Sequence, residues 1–218
     1  MKSPTLMWDA DLAGVVRNEA FRQLLASGDP ATCTGLAASL GLSFDMLSGA
    51  LEELNAAGRI RRDETGRVVG SAGLSVVPDR HQIDLDGRMF WTWCAYDILG
   101  IFGALRATGT AASRSPATGA SITLRFRDGR PEKAGIVLFR PSDSYAACCT
   151  SIYDEWCPNS NFFEEAESAR VWLESHELEG RILSLDEACE LATKDWLPLT
   201  PTPLRRSEVG GGRQEPMS

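Results

Sequence analysis

Histidine is almost missing from this chain, with only His81 and His176 among 218 residues. A His-rich metal centre or a Ser-His-Asp hydrolase is therefore poorly supplied. No Cys-x-x-Cys pair occurs, which counts against a structural zinc site and a thioredoxin-type redox site. No stretch approaches the ~20 apolar residues of a membrane helix. The start, Met1 to Asp11, lacks the apolar core of a secretory signal. Both features predict a cytoplasmic protein with no membrane partner. Basic residues are outnumbered, 22 against 30, for a net charge of −8. Nucleic acid is disfavoured as the main partner, because that affinity comes from neutralising phosphates. Six cysteines in a reducing compartment are then free thiols, available for packing, metal or catalysis.

What is present reads as an α+β protein. Leu12, Val15, Val16, Phe21, Leu24 and Leu25 recur at roughly helical period over 11–27. Ser27-Gly28-Asp29-Pro30 stops that helix. A second helix spans 31–40. Ser43 caps a third over 44–57, with Met46, Leu47, Leu51, Leu54 and Ala57 on one face. Residues 58–70 form a basic hairpin turning at Thr65-Gly66. Three helices and a hairpin outline a winged-helix-like N-terminal domain, 1–80. The third helix carries Asp45, Glu52 and Glu53 but no Lys or Arg, a poor surface for DNA. A mixed sheet-and-helix core over 81–200 follows. It has strands near 75–77, 82–85, 121–126 and 136–139, a loop over 107–121, and helices at 166–176 and 186–194. The tail 201–218, rich in Pro, Gly, Arg and Ser, is expected to be disordered.

The chemistry concentrates in Phe90-Trp91-Thr92-Trp93-Cys94-Ala95-Tyr96-Asp97. Helical positions three apart share a face, so Cys94 and Asp97 present a soft sulfur and a proton carrier together. Tyr96 faces away from Cys94. A second pair, Trp156-Cys157, lies downstream. Two thiolates and a carboxylic acid can bind an organometal, polarise its metal–carbon bond and protonate the carbon. Burial among aromatics raises the acid's pKa toward neutrality. Trp91, Trp93 and Trp156 are candidate walls as well as core. Cys33 and Cys189 read as core, and His81 and His176 as surface or capping residues.

Three segments resemble the organomercurial (alkylmercury) lyase family: the Trp93-Cys94-Ala95-Tyr96-Asp97 run; Ser115-Pro116-Ala117-Thr118-Gly119; and Trp156-Cys157-Pro158-Asn159-Ser160-Asn161-Phe162-Phe163, with Trp172 at family spacing. The likeness extends to Leu178-Glu179-Gly180 and Leu185-Asp186-Glu187-Ala188, covering about 15–195. It implies a catalytic and mercury-binding set of Cys94, Asp97 and Cys157. It implies protonolysis of R–Hg⁺ to R–H and Hg²⁺, with no cofactor and with cellular thiols or mercuric reductase receiving the Hg²⁺. Ser115 stands where many members carry a further, structural cysteine. Cys148 and Cys149 lie in a lengthened segment; they read as extra mercury ligands, a transfer relay or buried apolar residues, and Cys149 rivals Cys157 as the partner of Cys94. The alternatives are a non-catalytic soft-metal (Hg or Cu) binding or sensing protein of the same fold, and a transcription regulator.

Overall fold

A computed structural model describes residues 4–132 and 135–199; the tail 201–218 lies outside them. Helix α1 runs Pro4–Ser27, longer at its start than the apolar period indicated. Val16, Ala20, Phe21 and Leu24 are fully buried along one of its faces. Gly28, at φ +76°, ends it, its N–H bonded to the Leu24 carbonyl at 2.8 Å. Helix α2, Cys33–Leu40, is capped by Thr32 and ends on left-handed Gly41. Helix α3, Phe44–Ala56, starts at Ser43, whose hydroxyl accepts from the Met46 N–H. Its buried face is Leu47, Ala50, Leu51 and Leu54. Met46, expected on that face, is exposed, one residue and so about 100° round the helix from Leu47.

One antiparallel sheet then runs through most of the molecule. Its strands are β1 Ile60–Arg62, β2 Val68–Ser71, β3 Leu74–Ser75, β4 His81–Leu85, β5 Arg88–Thr92, β6 Gly109–Arg114, β7 Ser121–Arg127 and β8 Arg130–Pro131. The order is β1-β2-β3-β5-β4-β6-β7-β8. Leu74 and Ser75 pair with Thr92 and Trp91, which bonds the hairpin after α3 to the later strands. Strand β6 replaces the first part of the loop expected over 107–121. Small polar residues hid it, yet its inward positions, Ala111 and Ser113, are buried and pair with Leu124 and Ile122. Size, not polarity, suits them to the packed face beneath α4.

Helix α4, Ala95–Leu105, lies in the middle of the core. Every residue from Ala95 to Phe102 is buried. Helix α7, Leu185–Trp196, packs on it at two glycines. A Cβ at Gly100 would overlap the Trp196 ring, and one at Gly103 would overlap Thr193. The absence of those side chains lets the helices approach. A second antiparallel sheet, with β9 Val137–Pro141 flanked by β10 Asn161–Phe163 and β11 Gly180–Ser184, completes the fold. Helices α5 (Asp143–Cys148) and α6 (Ala166–Glu174) lie between its strands in sequence. Buried residues of α1, α3, α4, α7 and both sheets form one apolar cluster. The architecture is α+β, as the patterning indicated. Among the described residues no helix is long and apolar enough to cross a membrane.

Phe102 stacks on Phe126 with ring centroids 3.9 Å apart and no exposure. Phe102→Ala should lower unfolding free energy by about 3–5 kcal/mol, the usual cost of truncating a buried aromatic. Urea denaturation of the two proteins checks this.

Candidate active site

The site is built where β5 meets α4. Trp93 N–H bonds the Gly73 carbonyl at 3.1 Å, which ties this junction to the turn between β2 and β3. Cys94 follows in extended conformation, φ −147° and ψ 171°. It therefore precedes α4 as the N-cap rather than lying on the helix. Asp97, third residue of the helix, turns back and accepts the Cys94 N–H at 2.8 Å. This capping-box arrangement brings thiol and carboxyl together at the helix start. The expected pairing is present, but a cap produces it rather than a shared helical face.

Cys157 arrives on an irregular segment. A single π-helical turn, Ile152–Trp156, runs into a 3₁₀ turn, Cys157–Asn159. The Ser160 carbonyl accepts the Ala95 N–H at 3.0 Å, and the Ser160 N–H returns to the Cys157 carbonyl at 3.2 Å. One of the orphan donors of α4 is thus satisfied by the segment that carries the second thiol. As a result the Cys94 and Cys157 sulfurs and an Asp97 oxygen lie within 4.8 Å of one another. All three residues are buried, with exposures of 0%, 2% and 4%. Cys149 is not in this cluster.

Burial dominates the electrostatics. It pushes the Cys94 thiol well above its ordinary value, helped by a hydrogen bond to Cys157 and by the Asp97 charge. For Cys157 that same hydrogen bond acts first and pulls the other way, favouring its thiolate; burial and Asp97 outweigh it and leave the pKa raised. Both sulfurs are thus held toward the neutral thiol, Cys94 the more strongly. Burial lifts the Asp97 carboxyl to about 7, against the opposing hydrogen bonds from the Cys94 side chain and backbone. Asp97 can therefore hold or release a proton near neutral pH.

A cavity of about 190 Å³ opens on Asp97 and Cys157. Trp93, Tyr96, Trp156 and Trp196 give it aromatic walls, and Arg17 and Arg59 line it from the N-terminal segments. Tyr96, expected to face away from Cys94, forms one of these walls. It meets Trp156 and Trp196 edge-on at 6.0 and 5.7 Å, and its hydroxyl donates to Asp195 at 2.7 Å. Trp91 is absent from the lining. It alternates with buried Phe90 and Thr92 on β5 and so faces the other side of the sheet. A groove of about 740 Å³ beside Arg140 and Arg181 contains none of the three reactive groups.

The alkylmercury lyase family model matches residues 74–196, more than half of the chain. The chain belongs to that family. It is 32% identical to the alkylmercury lyase of Staphylococcus epidermidis over 174 residues, covering 78% of this chain and 76% of that protein. It is 33% identical to the alkylmercury lyase of Bacillus cereus over 175 residues, covering 78% and 75%. A crystal structure of the mercury-bound form of MerB2 has a similar fold, with a TM-score of 0.74 at 23% identity. That likeness covers 88% of this chain and all of the other.

Other cysteines and histidines of this alkylmercury lyase family member lie elsewhere. Ser115 is buried at the end of β6, where its backbone bonds Ala120 and Gly119 to close a turn. His81, read as surface or capping, is buried instead. It faces inward on β4, with Nδ1 2.8 Å from Ser113 Oγ, and burial holds its pKa down at about 4. His176 is exposed and stacks on Trp172. Cys33 is half-buried with its thiol 3.6 Å from the Gly66 carbonyl, and Cys189 is buried against Gly129. Cys148 is exposed and Cys149 half-buried, so the buried-apolar reading fails for Cys148.

Two supports went unrecognised in the sequence. Gly73, at φ +85°, abuts Asp97 so closely that a Cβ there would overlap the carboxyl carbon. The turn signal Ala72-Gly73 was available but carried no hint of its neighbour. The second is a charge cluster. Asp79 accepts from Arg61 at 2.8 Å and from the Tyr153 hydroxyl at 3.2 Å. Arg80 donates to the carbonyls of Trp93 and Tyr153 at 3.2 and 3.3 Å, linking the two cysteine-bearing segments.

Gly73→Ala should cost about 1–3 kcal/mol from left-handed strain, and more if Asp97 cannot shift. A thermal unfolding comparison checks it. Asp97 also gives a pH signature. Its folded pKa of about 7 exceeds the ordinary aspartate value of 3.8, so its contribution to stability is full below 3.8 and is lost as pH rises toward 7. Relative to Asp97→Asn, wild-type stability should decline across that window and level off above it. Parallel curves for the two proteins would refute the raised carboxyl.

Proposed function

We propose that this protein cleaves the carbon–mercury bond of organomercurials by protonolysis, with Cys94, Cys157 and Asp97 as the catalytic residues. The observation that carries the reading is the buried triangle of two sulfurs and one carboxyl within 4.8 Å, with a carboxyl that titrates near neutrality. Mercury is the substrate's metal, and no resident cofactor is required. Thiolate sulfur is the preferred ligand for so soft an ion.

The sulfur-to-sulfur hydrogen bond suggests an order. Cys157, the more readily ionised thiol, captures R–Hg from its thiol adduct R–Hg–SR′. One Hg–S bond forms, one breaks, and R′SH departs with the Cys157 proton. Cys94 then bonds mercury as its proton passes to Asp97, already hydrogen-bonded to it. Two sulfurs on mercury weaken the Hg–C bond. Asp97 protonates the carbon, R–H leaves, and Hg²⁺ remains between the two sulfurs. No proton is gained or lost overall. The aromatic walls of the cavity shield the buried acid in part and accept the apolar R group. An external thiol, or mercuric reductase, would receive the metal.

Two measurements test this. In D₂O, methane released from methylmercury should carry one deuterium, since the proton comes from exchangeable S–H by way of Asp97. Asp97→Asn should slow release by roughly 10²–10⁴-fold, the range for a general acid. Cys94→Ala should trap R–Hg on Cys157 without hydrocarbon, while Cys157→Ala should neither trap nor release. Headspace gas analysis and mass spectrometry of the protein read these outcomes. Mercury held by the wild type with no hydrocarbon formed would leave the alternative, a non-catalytic soft-metal binder.

A further inference from the structure

Cys148 and Cys149 have no part in the triangle, yet their surroundings direct them toward it. Cys148 closes α5 and is exposed; Cys149, its C-cap, is half-buried against the main apolar cluster. The eight residues that follow fold back on themselves around Glu155. Its carboxylate accepts from the Thr150 and Ser151 N–H groups, each at 2.9 Å, and from the Thr150 hydroxyl at 2.6 Å. Its carbonyl accepts from the Tyr145 hydroxyl at 3.3 Å and from Asn159 at 2.8 Å. These bonds clasp the residues after Cys149 onto those before Cys157. Ala146 of α5 and Ile152 of the clasped segment both line the reactive cavity with Cys157. Burial, then Glu155, Cys148 and Cys157, raise the Cys149 thiol, so the Cys157 charge is near enough to be felt there. Three thiols thus lie in sequence from a buried site to the surface: Cys157, Cys149, Cys148.

We propose that Cys149 and Cys148 are a second mercury-binding site, a dithiol that draws product Hg²⁺ from the Cys94–Cys157 pair and presents it to an external thiol. The proposal rests on the function proposed above for its supply of Hg²⁺. Each transfer is an exchange without redox change. Cys149 sulfur bonds mercury, the Cys94–mercury bond breaks, and the Cys149 proton moves to Cys94. Cys148 then replaces Cys157 in the same way. Finally two external thiols replace Cys148 and Cys149 in turn, each passing its proton to the sulfur it displaces, and mercury leaves as their bis-thiolate. Exchange of this kind depends on access of the attacking sulfur, and an outside thiol reaches the buried Cys94–Cys157 pair only through the 190 Å³ cavity. Cys148 supplies the missing access.

The test uses the full-length reduced protein, freed of small thiols, and the variants Cys148→Ser, Cys149→Ser and the double variant. Cys148 is exposed, and serine at 149 can keep the bond to the Tyr145 carbonyl, so folding should persist. After one turnover with methylmercury, glutathione is added and mercury leaving the protein is timed. Hydrocarbon release in the single turnover should match wild type, while mercury departure slows roughly tenfold in the double variant, as loss of an accessible exchanging thiol requires. Unchanged departure overturns the relay. Separately, Cys94→Ser/Cys157→Ser protein titrated with inorganic Hg²⁺ should bind one equivalent more than the same chain lacking Cys148 and Cys149. Equal stoichiometry overturns the site. Absence of hydrocarbon from wild type would instead defeat the lyase reading, and the titration with inorganic Hg²⁺ remains decisive for the dithiol.

Discussion

The structure turns on one hydrogen bond, from the Cys94 N–H to the Asp97 carboxylate at 2.8 Å. A helix that begins in the core must satisfy its first N–H groups without water. Here the satisfying group is an acid that chemistry also needs. Capping fixes the rotamer of Asp97 and holds the Cys94 sulfur beside it. The Ser160 carbonyl, bonded to the next N–H, brings Cys157 to the same point. Three residues far apart in requirement are thereby placed by ordinary helix-end bookkeeping. A free thiol pair and a free acid on a surface would have no such mutual constraint.

Much of the fold was legible because its signals are local. Ser43 and the Leu47–Leu51–Leu54 stripe mark α3, and Asp86-Gly87 marks the β4–β5 turn, all by short-range physics. The triangle's members were legible through the aromatic–cysteine segments and their family likeness. What escaped was set by contact. Strand β6 is inward-facing through smallness, which composition reads as loop. His81 is buried because β4 is central in the sheet, a fact no neighbour in sequence reveals. Gly73 matters only because Asp97 happens to lie against it. Tyr96 joins the cavity wall because Trp156 and Trp196 come to meet it.

Burial sets the chemistry of the site as much as the residue types do. Out of water, a thiol and a carboxyl each resist charge, and one negative charge opposes the next. The same desolvation that makes thiolates scarce lifts the Asp97 carboxyl to about 7. A soft metal centre shared between the two sulfurs would relieve that frustration by bringing the positive charge the cluster lacks. The site is therefore most at ease when occupied, and its acid and thiols are tuned by one cause rather than by three separate devices.

The cavity draws Gly58, Ala72 and Gly73 from the first part of the chain and Trp156 and Cys157 from the last. The enclosure of the acid is consequently a property of the whole polypeptide, while the sulfur pair is a property of two short segments. Strip away the N-terminal wall and water would reach the carboxyl, whose affinity for its proton would fall back toward that of an ordinary aspartate. For the lyase proposed above, holding metal and cleaving carbon are then separable demands: two thiols would suffice for a sponge, and enclosure of the acid would convert the sponge into a reagent.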